Sequence, residues 1–428
     1  MYKQLTASYG SVCPNCGGHI SLPSLADNGG PYDAILDQLA ADLWERKVKT
    51  GTIPKELFEQ TSKDILKTID EGLGGKAFDI TDGRNTLKAY YQQNLSAFSA
   101  AKSYTEMLHM RSLMADAADF TDFRNKCLDA GIQFNQTWLK TEYETFTAAA
   151  QMGKQYDDFV KNGIDVLEFT TVGDDRVRPA HAELDGLTFR IDAPYVKQIW
   201  PPLDWACRCH LIPGIDAKIT DDATAGRMVK DAVRNPLFKQ HAGIDKVVVS
   251  NDHPYFNAAP KELTATKNYG LPSVKHQYNQ NSFPARIEMA SEQEYRAWWK
   301  DQVNIERSDN FVLKDKTGVH ILFDSPETPG NNKAITSYFK EHILKNSNEE
   351  RWMYAANLTE IITKPDELWS VRRSGNKIAR HYIKYYNDAP ILVMVEDKEG
   401  VMTAQTMYEL TEERATEFRR GELLYINR

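Results

Sequence analysis

From Tyr32 to about Asn162 apolar residues return every three or four positions, and after Gly163 they stop doing so. That switch of period constrains the architecture more than any other feature of the chain. Ile35, Leu36, Leu39, Leu43 and Trp44 mark one helical stripe, and Leu57, Ile65 and Ile69 mark a second. Pro54 stands where a first-turn proline belongs, and Gly72 reads as the stop of that helix. The GLGGK run that starts at Gly72 lacks the outer glycine spacing and the Ser or Thr of a phosphate loop, which favours the helix stop. Two long helical stretches follow, about 87–115 and 134–160, and Cys127 falls within a helical pattern. Beyond Gly163, Val166–Val172 and Thr188–Ile191 are strand-like, set among Gly, Pro, Asp and Trp.

A chain of 428 residues has room for two to three domains. From about Gln240 to Pro284 it is polar and without period, which reads as a connection. An amphipathic stretch at Glu292–Val303 comes next. It is followed by a hairpin (Phe311–Leu313 and Val319–Phe323), helices near Ile335–Leu344 and Trp352–Ile362, a strand pair (Ile391–Glu396 and Val401–Met407) and a helix at Glu412–Arg420. The expected fold class is α+β: a mostly helical N-terminal region with a short β element, and a small separate α+β C-terminal domain. The expected divisions are 1–30 as a zinc-knuckle N-terminus, 31–245 as the helical domain, 246–304 as connection and 305–428 as the C-terminal domain.

Composition removes whole classes of function. Lys and Arg number 52 against 60 Asp and Glu, a net charge of -8, so the chain does not coat nucleic acid along its length. No apolar run approaches the roughly 18 residues of a spanning helix, and the first residues lack a secretory apolar core. Membrane association is not expected. Five cysteines cannot frame so long a chain with disulfides and fit a reducing interior.

Four of those cysteines form two close pairs. Cys13-Pro-Asn-Cys16-Gly-Gly has the form of half a zinc knuckle, with glycines allowing the backbone to turn back over the thiolates. The other pair, Cys207-Arg208-Cys209, ends a loop-rich segment in which His181, Cys207 and Cys209 can be drawn together. A structural zinc held by Cys13, Cys16, Cys207 and Cys209 is the favoured set. Separate reduced cysteines, or a knuckle closed by His19 or His210, are the alternatives.

The same segment carries a recognisable order: His181, then Leu184-Asp185-Gly186, Pro201-Pro202, Trp205 and Cys207-Arg208-Cys209. It resembles the signature of the phage head-morphogenesis family, the minor capsid proteins of the phage Mu type, over about residues 90 to 215. Some members carry a cysteine three residues before the histidine, where this chain has Arg178. The resemblance implies His181, Asp185, Gly186, Trp205 and Arg208 as signature residues. It also implies phage portal and capsid proteins as partners, and a place in the virion.

The C-terminal part has no carboxylate cluster, nucleophile elbow, P-loop or kinase set. It has a run from Arg372 to Lys384 without one acid, carrying Arg372, Arg373, Lys377, Arg380, His381 and Lys384 among aromatic residues. Cations for phosphates and rings for bases suit single-stranded nucleic acid, whereas a solvated helix face is the plain alternative. The order of elements, from the helix of His342 through Pro365-Asp366 and Lys384-Tyr385-Tyr386 to Thr406-Met407-Tyr408, resembles the phage-associated nucleases grouped with barnase, EndoU, colicins E5 and D, and RelE. That resemblance implies a toxin cutting host RNA without a metal cofactor, in the cytoplasm of the bacterial host, with an immunity protein as a candidate partner. It assigns His342 to acid–base work, Lys384 to phosphate stabilisation and Thr406 to a phosphate oxygen. The competing reading is a structural or DNA-ejection virion protein whose C-terminal domain binds nucleic acid or capsid partners without catalysis.

Overall fold

The computed structural model describes residues 30–75, 80, 82–215, 217–303, 310–323, 339–345 and 350–427. Cys13, Cys16 and His19 lie outside them. The described residues cluster into two compact units, the first running through Gly75 and over Tyr90–Pro260, the second taking those of 76–89 and 261–428. Among the described residues no helix is long and apolar enough to cross a membrane.

The first unit is built of helices α1 (Pro31–Trp44), α2 (Lys55–Leu73), α3 (Gly83–Leu113), α4 (Phe120–Ile132) and α5 (Leu139–Lys161). Pro31 opens α1 at a position where its missing N–H costs nothing, and Leu36, Leu39 and Leu43 bury one stripe. α3 also supplies its first seven residues to the second unit. A π-helical stretch, Gln133–Trp138, joins α4 to α5, and Cys127 is fully buried on α4. α2 stops at Gly74, whose φ of 75° is the left-handed cap, so Gly72 is not the stop expected. Gly72 serves contact instead, because a Cβ there would stand 2.5 Å from the Thr147 carbonyl oxygen and 2.6 Å from Ala150 Cβ on α5.

A three-stranded antiparallel sheet follows, in the order β2-β1-β3. β1 (Val166–Thr170) and β2 (Thr188–Arg190) match the two strand-like runs, with Leu167 opposite Phe189. β3 (His210–Pro213) pairs Leu211 with Phe169 and starts directly after Cys209. Helix α6 (Asp222–Ala232) lies beyond it. Residues 246–260 pack into this unit: the Asn94 side chain accepts from the Val248 and Val249 amides and donates to the Val249 carbonyl.

The second unit holds α7 (Glu292–Gln302), β4 (Phe311–Lys314), β5 (His320–Phe323), α8 (Phe339–Lys345), α9 (Leu358–Thr363), β6 (Glu367–Arg372), β7 (Ile378–Tyr385), β8 (Pro390–Lys398), β9 (Val401–Glu409), α10 (Glu412–Phe418) and β10 (Glu422–Ile426). Its sheet runs β10-β6-β7-β8-β9-β5-β4, antiparallel except where β5 meets β9. The chain is thus α+β, as expected. The basic run is the main correction. It is not a helix face but a β-hairpin: every residue of β7 is buried, whereas Lys377 in the turn is exposed. Arg380 has no exposed surface because its guanidinium pairs with Asp315 at 2.7 Å and with Thr317 at 2.9 Å. His381 is buried as well, its Nδ1 donating to the Phe418 carbonyl at 3.2 Å. Neither side chain can reach a polyanion.

Candidate functional site

Two clusters of chemically capable side chains stand out, one in each unit. In the first, His181 sits at the end of a short helix, Pro179–Ala182, and is 3% exposed. The turn after it is held to β1: the Gly186 amide donates to the Phe169 carbonyl at 2.9 Å, and Asp185 accepts from the Thr171 amide at 2.7 Å. Gly186 has φ of 77°, the left-handed region that favours glycine. Trp205, 1% exposed, meets Phe238 edge-on at 5.2 Å, and the next amide, of Ala206, donates to Thr145 Oγ1. Arg208 grips Asp174 with two 2.7 Å hydrogen bonds that hold that carboxyl down at about 2. These anchors turn the two cysteines inward.

Cys207 Sγ and Cys209 Sγ lie 3.7 and 3.8 Å from His181 Nδ1, and all three donor atoms are within 4.8 Å of one another. The hydrogen bond from Cys209 holds the Cys207 thiol well below its ordinary range against the effect of burial, with His181 helping; the same bond pushes Cys209 up. Two thiolates and an imidazole are a soft, compact donor set suited to zinc, which takes four ligands in structural sites. The expected set is corrected in one respect: His181 joins Cys207 and Cys209. Arg178, three residues before His181, is committed to the Trp205 carbonyl at 2.8 Å and to Asp204 at 3.4 Å. Cys207 and Cys209 also line a cavity of about 600 Å³, whose facing wall is α5 from Glu144 to Asp158.

In the second unit, α8 is fixed by Phe339, which meets Phe323 edge-on at 5.2 Å, while Phe323 stacks on Phe311 at 4.8 Å. The helix thereby points His342 at β9. His342 Nε2 lies 3.2 Å from Thr406 Oγ1, and Arg351 Nη1 donates to the same oxygen at 3.0 Å. Since Arg351 can only donate, the Thr406 hydroxyl is free to give its own proton to an unprotonated His342 Nε2. The Arg351 and Arg414 guanidinium groups each lie 5.0 Å from the Tyr408 ring. Burial lowers the His342 pKa below its ordinary 6.5, and the charges of Arg351 and Lys345 lower it further. The result is a neutral imidazole, able to accept a proton, among cations.

Lys384 is not part of this cluster. One row across the sheet runs Thr406–Met394–His381, whereas Lys384 stands opposite Ile391 and so Glu409, three residues away along each strand and hence on the other face. There it pairs with Asp366 at 3.2 Å and Glu360 at 3.9 Å, with 8% of its side chain exposed. The cation that stands beside His342 and Thr406 is Arg351 instead. Arg351 is a residue that nothing in the sequence singled out beyond its being a cation nine positions after His342. Of the other basic residues, Arg372 bonds Asn376, Arg373 reaches Met394 Sδ at 3.6 Å and Glu396 at 3.8 Å, and Lys377 is exposed. His381 shares the face of Thr406, but burial holds its pKa down at about 4, so it is neutral and enclosed.

Comparison with known proteins matches two stretches of the chain to family models. Residues 121–212 match the family model described as Phage Mu protein F like protein, and residues 309–426 match the one described as phage-Barnase-EndoU-ColicinE5/D-RelE like nuclease2. The Mu-like prophage FluMu F protein of Haemophilus influenzae is 32% identical over 76 residues, which are 18% of this chain and 18% of that one. The matched part thus spans about a fifth of that relative's length. No solved structure matches. The chain joins a phage Mu F-like region, which contains the His181–Cys209 cluster, to a nuclease-like domain, which contains His342, Arg351 and Thr406.

Proposed function

We propose that this is a phage or prophage minor head protein whose nuclease-like domain cuts host RNA as a toxin, without a metal ion. The observation that carries the proposal is the convergence of His342 Nε2 and Arg351 Nη1 on one threonine hydroxyl. A phosphodiester seated at Thr406 would have a neutral base on one side and a fixed guanidinium on the other. His342 takes the proton from the ribose 2′-OH, the 2′-oxygen attacks phosphorus, and the 5′-oxygen leaves with a proton from water. The products are a 2′,3′-cyclic phosphate and a 5′-hydroxyl. Arg351 and Thr406 hold the non-bridging oxygens as charge builds on them.

The test is cleavage of RNA by the full chain, with and without EDTA. His342→Ala should slow it by about 10² to 10⁴, Arg351→Ala by about 10² to 10³, and EDTA should not change it. RNA bound but uncut by the unaltered protein would return the domain to a structural or genome-binding role. Because His342 must be neutral and its pKa is lowered, the rate should rise with pH only below the ordinary imidazole range and be flat at neutrality.

For the Mu F-like region the proposal is assembly with portal and capsid proteins, supported by the match over residues 121–212. His181, Cys207 and Cys209 would hold a zinc that pins the signature loop, with Cys13 or Cys16 as the candidate fourth ligand. Such an ion would supply cross-linking rather than catalysis.

A further inference from the structure

The nuclease-like unit includes residues that the sequence places far outside it. Asn85, fully buried in the first turn of α3, takes both backbone groups of His320 in β5: its Oδ1 accepts from the amide at 2.7 Å and its Nδ2 donates to the carbonyl at 2.9 Å. Those partners are 235 positions apart. Thr86 Oγ1 donates to the carbonyl of Gly400, in the turn that leads from β8 into β9. Three residues on, the Ala89 carbonyl accepts from the buried Arg380 guanidinium at 3.4 Å. Asn85, Thr86, Lys88 and Ala89 are all 3% exposed or less.

The need for this segment is local. β5 is joined to β9 by a parallel register of one pair, Leu322 with Thr403, so the sheet opens on the side of His320 and Gly400. Asn85 and Thr86 enter that opening and bind the backbone groups of His320 and Gly400.

We infer that residues 82–89 are an obligatory part of the nuclease-like unit, a wedge between β5 and the β8–β9 turn supplied by the helix that continues into the first unit. A chain beginning after Pro260 lacks it. It would strip the His320 and Gly400 backbone groups of the Asn85 and Thr86 side chains that hold them, and it would loosen β9, the strand of Thr406. Release of the C-terminal part by proteolysis would then yield a disarmed unit rather than a free toxin. This holds whether or not the unit cuts RNA.

Hydrogen exchange on the full chain tests it. Asn85→Ala should speed exchange in residues 311–323 and 401–409 by about tenfold or more, leaving residues 120–161 of the first unit unchanged. Thr86→Val, a milder change of near-equal shape, should do the same to a lesser degree and serves if Asn85→Ala does not fold. Ser99→Ala, which removes a hydroxyl bound to Leu95 within the same helix, is the control and should leave both strand segments as they were. Unchanged exchange at 311–323 and 401–409 in the Thr86→Val chain would overturn the inference. So would acceleration shared equally with residues 120–161, which would mean that α3 merely frays.

Discussion

Glu106, at the centre of the helical unit, makes the stability of that unit depend on pH in a direction opposite to the usual one. It has no exposed surface; its Oε1 accepts from Asn135 Nδ2 at 2.6 Å, and its Oε2 has no hydrogen-bond partner. The nearby cation Lys102 is taken up by Glu142 at 2.9 Å and by the Phe134 carbonyl at 2.8 Å. Burial raises the Glu106 carboxyl from its ordinary 4.5 to about 8, although Lys102 and Asn135 pull it down. The folded chain therefore keeps a proton that the unfolded chain releases. Stability from this group is complete below pH 4.5 and is lost as pH rises toward 8, at about 1.4 kcal/mol per unit, or about 3 kcal/mol by pH 7. Glu106→Gln keeps the volume and the Asn135 bond and has no proton to lose. Hydrogen exchange of residues 120–161 at a series of pH values, corrected for intrinsic rates, gives the local stability of both proteins. The variant should match the parent near pH 5 and exceed it by an increasing margin up to pH 8. An unaltered slope would show that Glu106 is ionised in the fold and refute the reasoning.

Gly72→Ala places a methyl group against Thr147 and Ala150, and the separation of α2 from α5 should cost about 1–3 kcal/mol in unfolding of the first unit. An ordinary Gly→Ala gain in a helix would contradict that geometry. Cys207→Ser should lower zinc content from about one ion per chain to none in elemental analysis of the purified protein, and the loosened signature loop should become the first site of limited proteolysis. A parent protein free of zinc would remove the metal reading.

What could be read from the sequence divides along physical lines. The stripes of α1 and α2 were legible because one helical face meets the core and the other meets water. β1 and β2 were legible because short β-branched runs stood between turn residues. β7 was not, since a strand covered on both faces shows no alternation, and its charges looked solvated while Asp315, the partner of Arg380, lies 65 positions earlier. β3 was hidden behind the cysteine pair that precedes it. His342 and Thr406 could be named through the resemblance to the nuclease families, and the fold brings them together. Lys384 falls on the other face of the sheet because three residues along a strand reverse the face, which order cannot reveal. Arg351 acquires its place only when α8 and the turns after it pack beside β9.

The most direct test of the account is a short RNA in which the ribose at the cleaved position is replaced by 2′-deoxyribose, incubated with the full chain in EDTA. If His342 draws the proton from the 2′-OH, the all-ribose strand is cut to a 2′,3′-cyclic phosphate and the substituted strand stays whole at that position. Equal cleavage of both strands would contradict the mechanism built on His342, Arg351 and Thr406.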